Sequence, residues 1–425
     1  MRYNANKLEL LLKAILCTFI MSFFFFPIGI KGLTAGYNTK QLLGVLGVAF
    51  FIFKCVRSNS FSLPRHIVIS FVYACAFSIW CFLSTVVNNT TDYSYATYFL
   101  SFLVWLGGAY GVCEILRLAY GRVTLSLVTQ FLTAACLMQC AAVLLVDNVP
   151  VIQNFIDSFI IQDPVPKNLH RLYGLGCSLD SGGVRMCCAL MLIAYQISSN
   201  EEVWSNVRKL VAYIMAFLVI FVVGSMIART TSVGGLLALF YIFLSYAYIN
   251  RGTLSARQVR LFRGAFWVIL VGTIVCVYLY NTSPRAYRLM RFAFESFFSL
   301  AESGEMSTSS TDILKEMWHW PTDEHGWIFG YGVFSTWGKF GTDIGYCRFA
   351  NYCGLVGLFL FSIYFMYNAS VVARRFKNAR LFSLFLLALT FVIWIKVSTD
   401  IFQLYALLFC AESSVGELQE SPEDA

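Results

Sequence analysis

Mostly apolar runs follow one another along the chain, at 9–30, 41–56, 66–87, 96–116, 123–146, 184–198, 210–227, 232–249, 264–280, 350–369, 381–395 and 399–411. A helix crossing the roughly 30 Å hydrocarbon core needs about 20 such residues at about 1.5 Å each. The spacing predicts an all-α polytopic membrane protein with about twelve transmembrane helices, within a range of about 11–13. With 58% hydrophobic and only 13% charged residues, a water-soluble globular fold is excluded. The stretch 381–411 is long for one span and short for two, with Lys396 and Asp400 in its middle, so a short helical hairpin is expected there. The first run follows Arg2 and Lys7 and continues through the phenylalanines 23–26 without a small-residue cleavage site, so it reads as an anchor.

Basic residues in short loops are retained on the cytoplasmic side. With the N-terminus inside, every such cluster falls on one face: Lys54, Arg57 and Arg65; Arg117 and Arg122; Arg208 and Lys209; the arginines of 251–263; and Arg374, Arg375, Lys377 and Arg380. The net charge of +8 is therefore a topology signal, and no nucleic-acid partner is expected. The acidic residues 412–425 form a cytoplasmic tail, and membrane lipids are the general partner. The same topology places two long segments outside, 147–183 and 281–349, where both signs of charge mix. Loops of this size usually bind or catalyse, the bland alternative being a solvated cap.

Fourteen cysteines are scattered mostly within the apolar runs, without CxxC or Cys/His spacing, and read as small packing residues with no metal site expected. Cys177 and Cys347 lie near the outer face, and a disulfide between them is left open. In the stretch RLYGLGCSLDSGGVRM, which follows Asp163, Pro164 and Pro166, Arg171 and the glycines 174, 176, 182 and 183 suggest an anion cradle. Arg185 either serves the same site or snorkels to the interface. Arg229, beside Thr230, Thr231 and Ser232, suits a phosphate-type ligand or anchors a turn.

In SPRAYRLMRFAFESFF, Ser283 reads as an N-cap and Pro284 as the first helical residue. Arg285, Arg288 and Arg291 then recur on one side, and Tyr287, Met290, Phe294 and Phe298 on another, as in an amphipathic helix on a membrane surface. Its arginines suit a lipid-borne anion or ordinary phospholipid equally. Farther on, His319, Asp323, Glu324, His325, Asp343 and Arg348 gather among tryptophans and glycines. Aromatics beside carboxylates bind sugars, and a His, Glu or Asp there can act as a general base or hold a structural hydrogen bond. Asp343, near Trp337, Phe340 and Tyr346, is expected to be partly desolvated.

The order Gly330-x-Gly332, Asp343, Tyr346, Gly354 and Gly357 entering a span resembles the large-periplasmic-loop signature of bacterial O-antigen polymerases, the Wzy family. Arg171 followed eleven residues later by Gly182 is similar to the arginine-x10-glycine pattern of some of these enzymes. Related O-antigen ligases carry a histidine where this chain has Asp343.

The resemblance implies a GT-C-like fold in the bacterial inner membrane, with 281–349 as the large periplasmic loop. It also implies a glycan polymerase that moves a growing chain from undecaprenyl diphosphate to the non-reducing end of a lipid-linked repeat unit. Arg171, Arg229, Arg285, Arg288, Arg291 and Arg348 are the diphosphate- and substrate-binding candidates. Asp343, Glu324 and His325 are the base candidates. No cofactor is implied, and a chain-length regulator protein is a possible partner. An O-antigen ligase, a lipid-linked oligosaccharide flippase and a peptidoglycan polymerase are the alternatives.

Overall fold

A computed structural model describes residues 2–32, 37–161, 171–250, 256–305, 308–334 and 341–414. The expectations placed on Asp163, Pro164, Pro166, Trp337, Phe340 and residues 415–425 lie outside them. Each apolar run of the sequence becomes helix, since backbone away from water must satisfy its own hydrogen bonds.

The order is α1 (Arg2–Phe25), β1 (Gly29–Ile30), α2 (Thr39–Ser58), α3 (Arg65–Val87), α4 (Tyr98–Tyr120), α5 (Leu125–Asn148), α6 (Pro150–Phe159) and β2 (Ile160–Ile161). It continues with α7 (Leu179–Ser199), α8 (Glu201–Ser205), α9 (Val207–Ile227), α10 (Thr230–Asn250), α11 (Ala256–Thr282), α12 (Pro284–Ala293) and α13 (Glu295–Ser303). Last come α14 (Ser309–Glu316), α15 (Glu324–Phe329), α16 (Gly345–Arg375), α17 (Arg380–Ile393) and α18 (Phe402–Cys410).

Among the described residues, 7 helices are long and apolar enough to cross a membrane: those of α1 to α5, α9 and α16. Shorter apolar helices occupy Thr230–Tyr246, Ile269–Thr282 and Arg380–Ile393. The protein is thus an all-α, multi-pass membrane protein. The chain divides into two compact units, Met1–Thr39 with Ser126–Thr308, and Lys40–Leu125 with Ser309–Ala425.

In the first unit β1 pairs antiparallel with β2, Gly29 opposite Ile161. Helix α7 is buried almost throughout from Gly182 to Ser198 and packs on α9 and α10. Small residues permit this approach: a Cβ on Gly183 would lie 2.7 Å from that of Ala228, and one on Gly224 would lie 2.8 Å from Thr231 Cγ2. Inside the unit Gln139 Nε2 donates to Ser22 Oγ and to the Leu175 carbonyl, both at 2.9 Å.

The two long segments 147–183 and 281–349 are more helical than expected. Helix α6 lies inside 147–183, and α7 begins at Leu179 rather than 184, so Arg185 lies in its second turn rather than at its start. The segment 281–349 holds α12 to α15 and the start of α16. Ser283 does cap α12, accepting from the Ala286 amide at 3.3 Å with Pro284 in the first turn. That helix stops at Ala293, however, so Tyr287, Met290, Phe294 and Phe298 do not share one continuous face.

In the second unit α16 is two helical pieces joined at Gly354, whose φ of 66° kinks the helix there. Such a kink frees carbonyls that an apolar medium cannot hydrate. Helix α3 and the loop after α15 supply the partners. Trp80 Nε1 donates to the Cys353 carbonyl at 2.8 Å, Ser84 Oγ to that of Tyr352 at 2.7 Å, and the Gly332 amide to the same Tyr352 oxygen at 3.0 Å. Farther along, Ser70 Oγ donates to Asn368 Oδ1 at 2.6 Å.

Candidate functional site

In the first unit the segment after residue 170 is held from two sides before it enters α7. The Leu172 amide donates to the Met226 carbonyl at 3.2 Å. Tyr173 Oη accepts from Gln153 Nε2 at 2.9 Å and donates to the Asp157 carboxylate at 3.1 Å. This fixes Arg171 beside the turn that separates α9 from α10. There the guanidiniums of Arg171 and Arg229 lie over one ring, 5.2 and 4.4 Å from the Phe292 centroid. Arg229 also donates through Nε to the Phe292 carbonyl at 3.0 Å and forms an ion pair with Glu295. Arg171 Nε is buried and has no hydrogen-bond acceptor among the described residues.

Burial pulls the Arg229 pKa below the ordinary arginine value, opposed by Glu295, assisted by the like charge of Arg171 and opposed again by Asp180. Asp180 Oδ1 accepts from Thr230 Oγ1 at 2.8 Å, which ties the first turn of α7 to that of α10. Two arginines forced together over an aromatic face create a local excess of planar, fork-shaped donors, the geometry that carboxylates and phosphates match.

The glycines of this stretch do not form an open cradle. A Cβ on Gly176, where φ is 66°, would lie 2.5 Å from the Pro27 carbonyl, and one on Gly174 would lie 2.7 Å from Val143 Cγ2. They let the loop press against its neighbours. Arg185 donates to the Gly176 carbonyl at 3.4 Å and lies over Phe26.

Of the α12 arginines, Arg285 pairs with Asp147 and Arg291 with Glu302, while Arg288 is exposed with no ion-pair partner among the described residues. Cys177 and Cys347 are free thiols, so the disulfide left open by the sequence does not form.

In the second unit Asp343 is exposed just before α16, contrary to the desolvation expected of it. Glu324 and His325 are exposed in the first turn of α15. His325 Nε2 lies 3.1 Å from Asn88 Oδ1, and Asn88 Nδ2 donates to the Gly330 carbonyl at 3.0 Å. Arg348 points elsewhere: its guanidinium lies 4.1 Å from the Phe334 centroid, donates to the Phe334 carbonyl at 3.0 Å and reaches Ser398 Oγ at 3.4 Å. The Ser398 carbonyl accepts from Tyr95 Oη at 3.1 Å, and Asp400 Oδ2 accepts from Tyr98 Oη at 3.3 Å.

The non-helical residues 394–401 between α17 and α18 therefore bring Asp400 into a polar knot with Arg348, Tyr95 and Tyr98. Asp400 had no assigned role; its charge inside an apolar run was the signal. Glu295, Phe292 and Asp180 carried no comparable signal. Among the described residues no group of three or more His, Cys, Asp or Glu gathers as a metal would require.

The glycine-spaced signature is also a packing device. The Tyr331 amide donates to the Asn351 carbonyl at 2.6 Å, and Cβ atoms on Gly330 and Gly332 would lie 2.5 Å from the Tyr352 carbonyl carbon and 2.6 Å from Thr90 Oγ1. Gly354 lies against the Ile328 carbonyl, where no Cβ fits. No family model matches the chain, and neither the curated proteins nor the solved structures yield a significant match.

Proposed function

We propose that this protein is a membrane-embedded glycosyltransferase of the O-antigen polymerase type, with all twelve apolar helical segments spanning a bacterial inner membrane and the N-terminus in the cytoplasm. The observation that carries this is the Arg171–Arg229 pair over Phe292, where Glu295 is the carboxylate in ion-pair contact with Arg229. A lipid diphosphate bears more negative charge than one carboxylate and presents oxygens that two guanidinium forks can grip.

In the reaction, an acceptor sugar hydroxyl forms a bond to the anomeric carbon of the donor glycan as the bond from that carbon to the undecaprenyl diphosphate oxygen breaks. The hydroxyl proton passes to a general base on the protein. The departing diphosphate carries the electron pair, and fixed cations preorganised around it lower the barrier. Arg171 and Arg229 supply them.

Purified protein given a defined undecaprenyl-diphosphate-linked repeat unit should yield a ladder of longer lipid-linked glycans. Transfer only when lipid A-core is added would identify a ligase. Movement of the lipid across a vesicle without lengthening would identify a flippase, and consumption of a peptidoglycan precursor would identify the cell-wall alternative.

A further inference from the structure

Trp318, Trp320 and Trp327 form a ladder on the surface of the second unit. Trp320 stacks on Trp327 with centroids 5.7 Å apart and planes 18° apart, and Trp318 follows at 5.9 Å from Trp320. Trp318 and Trp320 remain 43% and 36% exposed. Exposed tryptophans on a free loop would be unremarkable, but this loop is pinned. Thr342 Oγ1 donates to the Met317 carbonyl at 2.6 Å, Asn351 Nδ2 to the His319 carbonyl at 2.6 Å, and the Thr322 amide to Tyr331 Oη at 3.1 Å. Tyr331 Oη in turn donates to Asp323 Oδ1 at 2.8 Å, and that carboxylate also caps α15. The fold thus holds a large apolar face open to solvent and rigid, which removes the ordering cost that a ligand would otherwise have to meet.

We infer that the Trp320–Trp327 platform is a pyranose-binding subsite. The face of a pyranose presents C–H groups that are slightly positive, and an indole face is slightly negative, so the two stack while the ring hydroxyls point outward. Two exposed carboxylates precede Trp327 by three and four positions, Glu324 in the first turn of α15 and Asp323 at its N-cap, and offer acceptors to such hydroxyls. The acidic rim argues against a tryptophan belt gripping phospholipid, because an interfacial anchor for anionic head groups is accompanied by lysine and arginine. A neutral polyhydroxyl ligand fits a rim that accepts hydrogen bonds. The subsite deepens the proposed function, on which it rests for the identity of the glycan alone.

The test uses the full chain in lipid nanodiscs, with maltotriose and chitotriose as probes, followed by saturation-transfer NMR and tryptophan fluorescence. Weak, saturable contact with at least one trisaccharide is expected. It should weaken about tenfold or more, equivalent to about 1.4 kcal/mol, in Trp320→Ala and Trp327→Ala. Trp320→Phe, which keeps an aromatic face, should retain most of the binding, and unchanged thermal melting would exclude unfolding as the cause. Absence of contact with either probe, or binding indifferent to Trp320→Ala, overturns the subsite. So does strong quenching of the Trp320 signal by brominated phospholipid, which would make the ladder a membrane anchor. Sugar binding by a protein that builds no glycan ladder would leave the subsite standing and remove the polymerase reading. A ladder whose acceptor KM is unchanged in Trp320→Ala would remove the subsite alone.

Discussion

Arg171 and Arg229 come from segments 58 residues apart and share the face of Phe292 at 5.2 and 4.4 Å. Arg229 has Glu295 as a counter-charge, whereas the buried Nε of Arg171 has no acceptor among the described residues. Arg171→Ala should therefore abolish or reduce glycan polymerisation by at least about tenfold while leaving the protein inserted and its thermal melting nearly unchanged, since a hydrogen bond to a charged group contributes roughly 1.5–3 kcal/mol. Arg171→Lys should restore activity only in part, because an ammonium cannot pair in bidentate fashion. Near-normal chain lengths from Arg171→Ala would reduce the arginine to a loop anchor.

Asp343 is tested by Asp343→Asn, which keeps shape and hydrogen bonding but removes the proton acceptor. If Asp343 is the base, transfer stops while binding of the lipid-linked donor persists in a filter assay. Full-length glycans from the variant would move the role to Glu324 and His325. Joint loss of binding and transfer would mark Asp343 as structural.

The kink of α16 predicts an asymmetry between two substitutions. Gly354→Ala forces a Cβ onto the Ile328 carbonyl at a φ of 66°, where the backbone strain alone costs about 1–3 kcal/mol. Trp80→Phe leaves the Cys353 carbonyl without its 2.8 Å donor, again at about 1–3 kcal/mol, but without a clash. Both should lower the melting temperature in detergent, Gly354→Ala by more. Equal melting of Gly354→Ala and the parent would mean that the kink is not fixed by glycine.

A pH dependence follows from Asp323. The Tyr331 hydroxyl, then the Gly326 amide, hold its carboxyl below the ordinary aspartate range. In the unfolded chain that group titrates at about 3.9. Because the folded value is the lower one, the contribution is fully present above about pH 4 and is lost as pH falls through the folded value. The melting-temperature gap between the parent and Asp323→Asn should hold steady from about pH 5 to 8 and close below about pH 4. A gap that widens in acid would contradict the capping role.

Topology is checked at Ser309, exposed at the start of α14. With accessible native cysteines removed, a cysteine placed there should react with an impermeant thiol reagent in intact spheroplasts. Labelling only after lysis would reverse the orientation and move the proposed site to the cytoplasm.

Much of the architecture was legible residue by residue, because its causes are local. Apolar runs become helices since each turn satisfies its own backbone, and Ser283 with Pro284 starts α12 since capping involves only the next three residues. The sequence also marked Arg171 and Arg229 as charges worth explaining, as it did Asp400 within an apolar run. Which charges meet was decided by packing. Arg285, Arg288 and Arg291 look equivalent along the chain, yet Asp147 and Glu302 pair with the first and last and leave Arg288 in solvent. The glycines around Arg171 read as a ligand cradle until Pro27 and Val143 are seen to fill the space. Gly354 fell inside an expected unbroken span, and neither its kink nor the use of Trp80 and Ser84, more than 260 residues earlier, to satisfy the carbonyls it frees was legible there. Hydrogen-bonded periodicity is written in neighbouring residues. The pairing of buried charges and orphaned carbonyls depends on which distant surfaces close around them, and only the tertiary structure decides that.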